Sequence, residues 1–308
     1  MFRRRLAHCA VWPKNQSHVF GYKATQNLQR FFSTHAEQPE KIDDERLIKA
    51  AFTRCTDAEK LAFALSNCLV TLSIGQSIHT GNYLAATLTE VNRSFKACTF
   101  VLGDTLQRHT EALHRYDLAL EPEINEQAMY KLSRENGDKW LKENFATLAK
   151  LNIPWKITRW DNWLKNEKYP GMLAMIQTTY CQDEKFKQAF DSNVEEYLAR
   201  LKRRNELKVD DATAKKFCLA YLLEECAVMC LWVEENCQFE LYASGRTQAM
   251  QETFDRFIRN FYPTLLHPLA MRFKKVKHRG EFIVEAENSD IDIENREIMN
   301  EPTPRFTG

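Results

Sequence analysis

The chain has 308 residues, 44% of them hydrophobic, with 43 basic against 42 acidic residues and a formal net charge of +1. It is long enough for one large buried core, and its charge balance excludes a globally electrostatic nucleic-acid binder, so a polyanion would have to meet a local basic patch. The nine cysteines, irregularly spaced and without a CxxC pair, argue against a disulfide framework and against a zinc site, so reduced thiols and no metal are expected.

Before Glu37 the chain carries Arg3, Arg4, Arg5, Lys14, Lys23 and Arg30 and no acid. Residues 1–40 therefore read either as a mitochondrial transit segment or as an untargeted extension, which places the protein in the mitochondrial matrix or the cytoplasm. No apolar run approaches the roughly 18 residues that span a bilayer, so no membrane partner is expected.

One folded domain is expected over 41–276. Residues 58–66 have helical spacing, and 67–74 form a short apolar run of β-formers ending at Gly75, the pattern of a buried strand. Helical spacing returns at 83–94 and a second strand follows at 95–103. Strand, helix, strand is the unit of a parallel sheet, so the class is α/β, a Rossmann-like sheet flanked by helices. A long polar helix follows at 123–150. A third strand lies at 155–159 after Pro154, which cannot sit inside a helix, and Asp161 is placed to cap the next helix. Helices are expected at 182–206 and 211–235, a strand at 239–243 and a helix at 247–260. From 277 to 308 the chain is acidic and polar with Pro302 and Pro304, so a disordered tail is expected.

Three features can carry chemistry. The loop after the first of these strands reads Gly75-Gln76-Ser77-Ile78-His79-Thr80-Gly81-Asn82-Tyr83, and open α/β sheets bind ligands at the carboxyl ends of their strands. Ser77 beside backbone N–H groups can attack a carbonyl, although serine after glycine is also an ordinary turn former. Tyr221 and Glu225 lie four apart on one face of an apolar helix that also carries Leu222, Val228 and Leu231. A carboxylate buried there needs either a structural cation or a ligand's amino group. Finally, Lys131, Arg134, Lys139 and Lys142 suit a phosphate backbone, although a solvated helix face is the commoner explanation of such a cluster, because acids interleave with them.

Taken in order, Gly75-Gln76-Ser77 after a strand, Thr158-Arg159-Trp160-Asp161, Tyr221 with Glu225, and the strand residue Tyr242 resemble the cyclodipeptide synthases over roughly 65–262. That resemblance implies a fold similar to class I aminoacyl-tRNA synthetase catalytic domains and an aminoacyltransferase that consumes two aminoacyl-tRNAs per product, with no ATP and no cofactor, acting as a monomer. It implies that Ser77 becomes aminoacylated, that Gly75 lines the pocket, and that Tyr221 and Glu225 hold the aminoacyl ammonium. Tyr242 would assist proton transfer as the ring closes, and the helix at 123–150 would track tRNA phosphates. Thr80 and the pair Tyr242-Ala243 depart from the bacterial pattern and point to a divergent branch, and the transit-like extension points to one of fungal type.

In this family the first side chain sits near the positions held here by Ser73 and Glu240, with Val228 also at the substrate. Glu240 shares a strand face with Tyr242, which predicts a cationic first amino acid, arginine, paired with that carboxylate. The competing reading is a non-catalytic tRNA-binding protein with the same fold. A serine hydrolase is disfavoured, because the G-x-S-x-G elbow is absent and the histidines outside the extension stand in no triad context.

Overall fold

The computed structural model describes residues 47–53, 55–204, 206–243, 245–279 and 282–286. The expected extension at 1–40 lies outside them, as does the tail beyond 286.

The apolar runs read as buried strands are β2 (Asn67–Ser73) and β3 (Ala97–Gly103), in each of which every residue after the first is buried. They pair in parallel, and β4 (Trp155–Arg159) pairs in parallel with β3. On the other side of β2 lies the short β5 (Phe239–Leu241), followed by the first residues of β6 (His267–Arg279), again in parallel. The order β4-β3-β2-β5-β6 grows outward in opposite directions from the β2/β5 boundary. A crevice opens at the carboxyl ends of those two strands, the place where such sheets bind ligands.

Helices cover both faces. On one pack α3 (Arg108–Arg115), α5 (Trp160–Leu164), α6 (Tyr169–Gln182), α7 (Glu184–Arg203), α8 (Asp211–Met229) and α9 (Gln248–Phe257), around Phe186, Phe190, Met229 and Trp232. On the other, α2 (Gly81–Ser94) and the 27-residue α4 (Pro122–Leu148) cover Val70, Leu72, Phe100 and Leu102. The short α1 (Asp57–Ala62) starts at a capping box, in which Glu59 N–H donates to Thr56 Oγ1 at 3.2 Å and Thr56 N–H donates back to Glu59 Oε2 at 2.6 Å. Asp210 caps α8 by accepting from Ala212 and Thr213 N–H, both at 3.0 Å.

The structure departs from the sequence reading in several places. An additional strand, β1 (Leu47–Thr53), pairs antiparallel with β6. Helices α3 and α6 and the strand β6 occupy stretches to which no element had been assigned. The helix expected to run to 235 ends at Met229, and a single 3-10 turn, Trp232–Glu235, closes at Asn236 in the left-handed region, φ 51°. The chain also stays folded past 277: β6 continues to Arg279 and β7 (Phe282–Ala286) pairs antiparallel with it, which corrects the expected start of the tail.

Asp161 is not a cap. It lies inside the first turn of α5, where its buried carboxylate accepts from Thr105 Oγ1 at 2.6 Å and pairs with Arg134 of α4.

Candidate active site

The chain leaves β2 through Gly75 and one 3-10 turn, Ser77–His79, before entering α2. Gly75 has φ 87°, and a Cβ there would meet nothing within 4 Å, so it is the left-handed backbone, not lack of space, that requires glycine. His79 pins the turn from two sides. Its buried ring accepts the Ser73 backbone N–H on Nδ1 at 2.9 Å, and its carbonyl accepts Trp140 Nε1–H from α4 at 3.0 Å. Burial lowers its pKa to about 4, so the ring is neutral. Ser77 is exposed, and its carbonyl accepts from Thr80 N–H at 3.2 Å and Thr80 Oγ1 at 3.1 Å. The residues on either side of it, Gln76 and Ile78, line a cleft.

That cleft encloses about 1670 Å³ at the β2/β5 crevice, more than the roughly 300–1,000 Å³ typical of small-ligand pockets. Gly75, Tyr221, Glu225 and Tyr242 all line it. Tyr221 and Glu225 project from successive turns of α8, and Tyr242 follows directly after β5. The Tyr242 hydroxyl donates to Glu225 Oε1 at 3.3 Å. Glu225 is 4% exposed and makes no ion pair among the described residues. Burial raises its pKa to about 7; the Tyr242 hydrogen bond opposes that rise, and the nearby Glu240 charge adds to it. Burial also pushes the Tyr221 and Tyr242 phenols well up, so both are protonated donors at neutral pH.

The cation that the sequence demands near this helix goes to the preceding residue. Glu224 accepts a two-nitrogen fork from Arg108, together with Trp160 Nε1–H at 2.8 Å, and lies 3.3 Å from His109 Nε2. Against the burial penalty, the bonds from His109 and Arg108 hold its pKa down at about 2. Residues one apart on a helix point about 100° apart, so Glu224 faces α3 and Glu225 faces the cleft.

Other expected site residues fall elsewhere. Val228 is fully buried in the helical core and does not line the cleft, so it is a packing residue. Ser73 is buried and borders, with Glu225 and Tyr242, a small void behind the cleft wall. Glu240 is 0% exposed and already paired: Arg246 donates Nε–H to its Oε1 at 3.4 Å and Nη2–H to its Oε2. A carboxylate forked by the chain's own guanidinium is not an open receptor for a cationic side chain, which removes the basis of the arginine expectation.

The basic helix also divides. Lys131 and Lys139 are exposed beside Glu135 and Glu143 at 3.9 and 3.8 Å, Lys142 is exposed, and Lys139 lines the cleft. Arg134 instead pairs with Asp161. Arg159, from the Thr158-Arg159-Trp160-Asp161 segment, bonds Asp104 Oδ2 through Nε at 2.5 Å and pairs with Asp138 of α4. This brace seats α4 on the end of β3.

Sequence reasoning missed Arg246 and the Arg108–Glu224 fork. A glutamate in the middle of an apolar strand demands a cation, and Arg246 stands six residues on, across the turn.

No protein-family model matches the chain, and neither does any curated protein. Solved structures do. A CDPS from Fluoribacter dumoffii is 37% identical, with a TM-score of 0.70 over 75% of this chain and 100% of that one. A cyclodipeptide synthase from Bacillus thermoamylovorans is 15% identical over 75% of this chain and 97% of that one, with a TM-score of 0.53. One from Candidatus Glomeribacter gigasporarum, bound to Phe-tRNAPhe, is 14% identical over 73% and 92%, with a TM-score of 0.51. The last two share the fold.

Proposed function

The chain belongs to the cyclodipeptide synthases, and we propose that it joins the aminoacyl groups of two aminoacyl-tRNAs into a cyclic dipeptide through an aminoacyl ester on Ser77. The observation that carries this reading is the Tyr221, Glu225 and Tyr242 group lining one cleft with the Gly75 turn, where Glu225 is buried without a cation among the described residues. A substrate ammonium supplies the missing charge.

In this mechanism Ser77 Oγ attacks the ester carbonyl of the first aminoacyl-tRNA, the tRNA 3′ oxygen leaves with a proton, and the aminoacyl group stays on Ser77. Its ammonium sits against Glu225 and the Tyr221 hydroxyl. With a pKa of about 7, Glu225 can hold that ammonium and also take its proton. The freed amine attacks the ester of the second aminoacyl-tRNA, whose tRNA leaves, giving a dipeptidyl ester on Ser77. The new terminal amine then closes on the seryl ester carbonyl. Its proton passes by way of Tyr242 and Glu225, and Ser77 departs as the alcohol. Each ester is already activated, so no ATP step is needed. Lys131, Lys139 and Lys142 would meet tRNA phosphates from α4, and the size of the cleft suits the 3′ end of a tRNA together with its aminoacyl group.

The test is to incubate the protein with a complete set of aminoacyl-tRNAs without ATP and measure cyclic dipeptides by mass spectrometry, with Ser77→Ala alongside. Serine-dependent product supports the reading. Binding of charged tRNA with no product would leave a non-catalytic tRNA-binding protein.

A further inference from the structure

The Glu240–Arg246 pair carries an inference that rests on the synthase reading and concerns which amino acid the cleft accepts. Arg246 lies in the loop after Tyr242, borders the cleft with Gly245 and Thr247, and has a side chain only 4% exposed. Its guanidinium is fixed on three sides. Nε and Nη2 fork the Glu240 carboxylate, Nη2 also donates to the Leu266 carbonyl at 3.1 Å, and the plane lies over the Phe254 ring at 3.9 Å. Leu266 offers that carbonyl from the left-handed region, φ 55°, a conformation unfavourable for leucine and held here by its N–H donating to the Cys237 carbonyl at 3.0 Å.

With those bonds made, one nitrogen is left over. Nη1 is buried and has no acceptor among the described residues. Guanidinium is never deprotonated, so Nη1 permanently presents two N–H groups, and a buried donor without a partner is rare enough to call for one. Glu240 neutralises the charge of Arg246 without using this nitrogen. What the site lacks is therefore an oxygen acceptor, the opposite of what an open glutamate would select.

We propose that Arg246 Nη1 recognises a side-chain oxygen of one of the two aminoacyl groups, so that the product contains a residue ending in a carboxamide or a carboxylate. The two sources share the acceptor oxygen. They are separated by whether Asn and Gln, or Asp and Glu, appear in the product.

The experiment supplies the wild-type chain with all twenty aminoacyl-tRNAs and compares its cyclic dipeptides with those of Arg246→Lys and of the double variant Glu240→Leu/Arg246→Met. Lysine can still pair with Glu240 and lacks the spare nitrogen, and the double variant removes both charges together, so no buried carboxylate is stranded. The expected result is a wild-type product containing Asn, Gln, Asp or Glu, whose yield relative to other cyclic dipeptides falls at least about tenfold in Arg246→Lys. In the double variant, apolar residues should replace it. Wild-type products built only from apolar or cationic residues would overturn the proposal and leave the synthase reading standing, as would an acceptor-containing product unchanged in both variants. No cyclic dipeptide at all would be a different failure, removing the reading beneath it.

Discussion

Glu224 and Glu225, consecutive on α8 and both nearly fully buried, have their carboxyl pKa values moved in opposite directions. The first is kept ionised by Arg108 and His109, and the second has its pKa raised by burial, with the Tyr242 hydroxyl donating to it. One clamps the helix to α3, and the other faces the cleft.

This opposition predicts how stability follows pH. The Glu225 pKa rises from 4.5 to about 7, so between those values the folded chain binds more protons than the unfolded chain, and stability falls as pH rises across that window. The Glu224 pKa falls from 4.5 to about 2, so its contribution is present above 4.5 and lost as pH drops toward 2. Glu225→Gln should be more stable than wild type at pH 8, on the order of 3 kcal/mol, and nearly equal to it at pH 4.5. Urea melts at the two pH values check this, and an equal difference at both would contradict it. Cyclic dipeptide formation should be lost in the same variant.

Tyr242→Phe removes the hydrogen bond that restrains the rise of the Glu225 pKa. The ionised fraction of Glu225 at pH 7 then shrinks, so the acid limb of the rate profile should move upward, with a larger rate loss at pH 7 than at pH 8.5. A loss equal at every pH would leave Tyr242 with no influence on Glu225.

On α4, the lysines and Arg134 should separate cleanly. The triple change Lys131→Ala, Lys139→Ala and Lys142→Ala should weaken tRNA binding and flatten its salt dependence by about 2 in log–log slope, with stability within about 0.5 kcal/mol of wild type. Arg134→Ala strips a partner from buried Asp161 and should cost about 1–3 kcal/mol of stability. Filter binding at several salt concentrations, together with denaturant melts, distinguishes them.

Gly137 lies where α4 meets the end of β3. A Cβ there would stand 2.7 Å from Asp104 Cβ and 2.8 Å from Arg159 Nη2. Gly137→Ala should therefore destabilise by about 1–3 kcal/mol, although alanine is the better helix former. An unchanged or raised melting temperature would show that the brace yields.

Why some of this was legible in the sequence and some was not follows from where each signal is local. Val70, Leu72, Phe100 and Val101 announce β2 and β3, because a strand covered on both faces is a continuous apolar run. Tyr221 and Glu225 share a face at a spacing any helix imposes. Strand β1, by contrast, is made by its antiparallel partner β6 and not by its own residues, and α6 carries Pro170 and Gly171, two weak helix signals, in its first turn, where proline is tolerated. The partners of buried charge were also hidden. Glu224 and Arg108 are 116 residues apart, and Arg246 meets Glu240 only because the chain turns back after β5. His79, which the sequence shows only as one residue of the loop, is the neutral clamp on the Ser77 turn.

The most direct test of the account is intact-protein mass spectrometry of the chain quenched within seconds of meeting a single accepted aminoacyl-tRNA. The account predicts one added aminoacyl mass on the peptide containing Ser77, sensitive to hydroxylamine as an ester is, and absent from Ser77→Ala together with all cyclic dipeptide. Cyclic dipeptide formed undiminished by Ser77→Ala, with no adduct on the wild-type peptide, would contradict it.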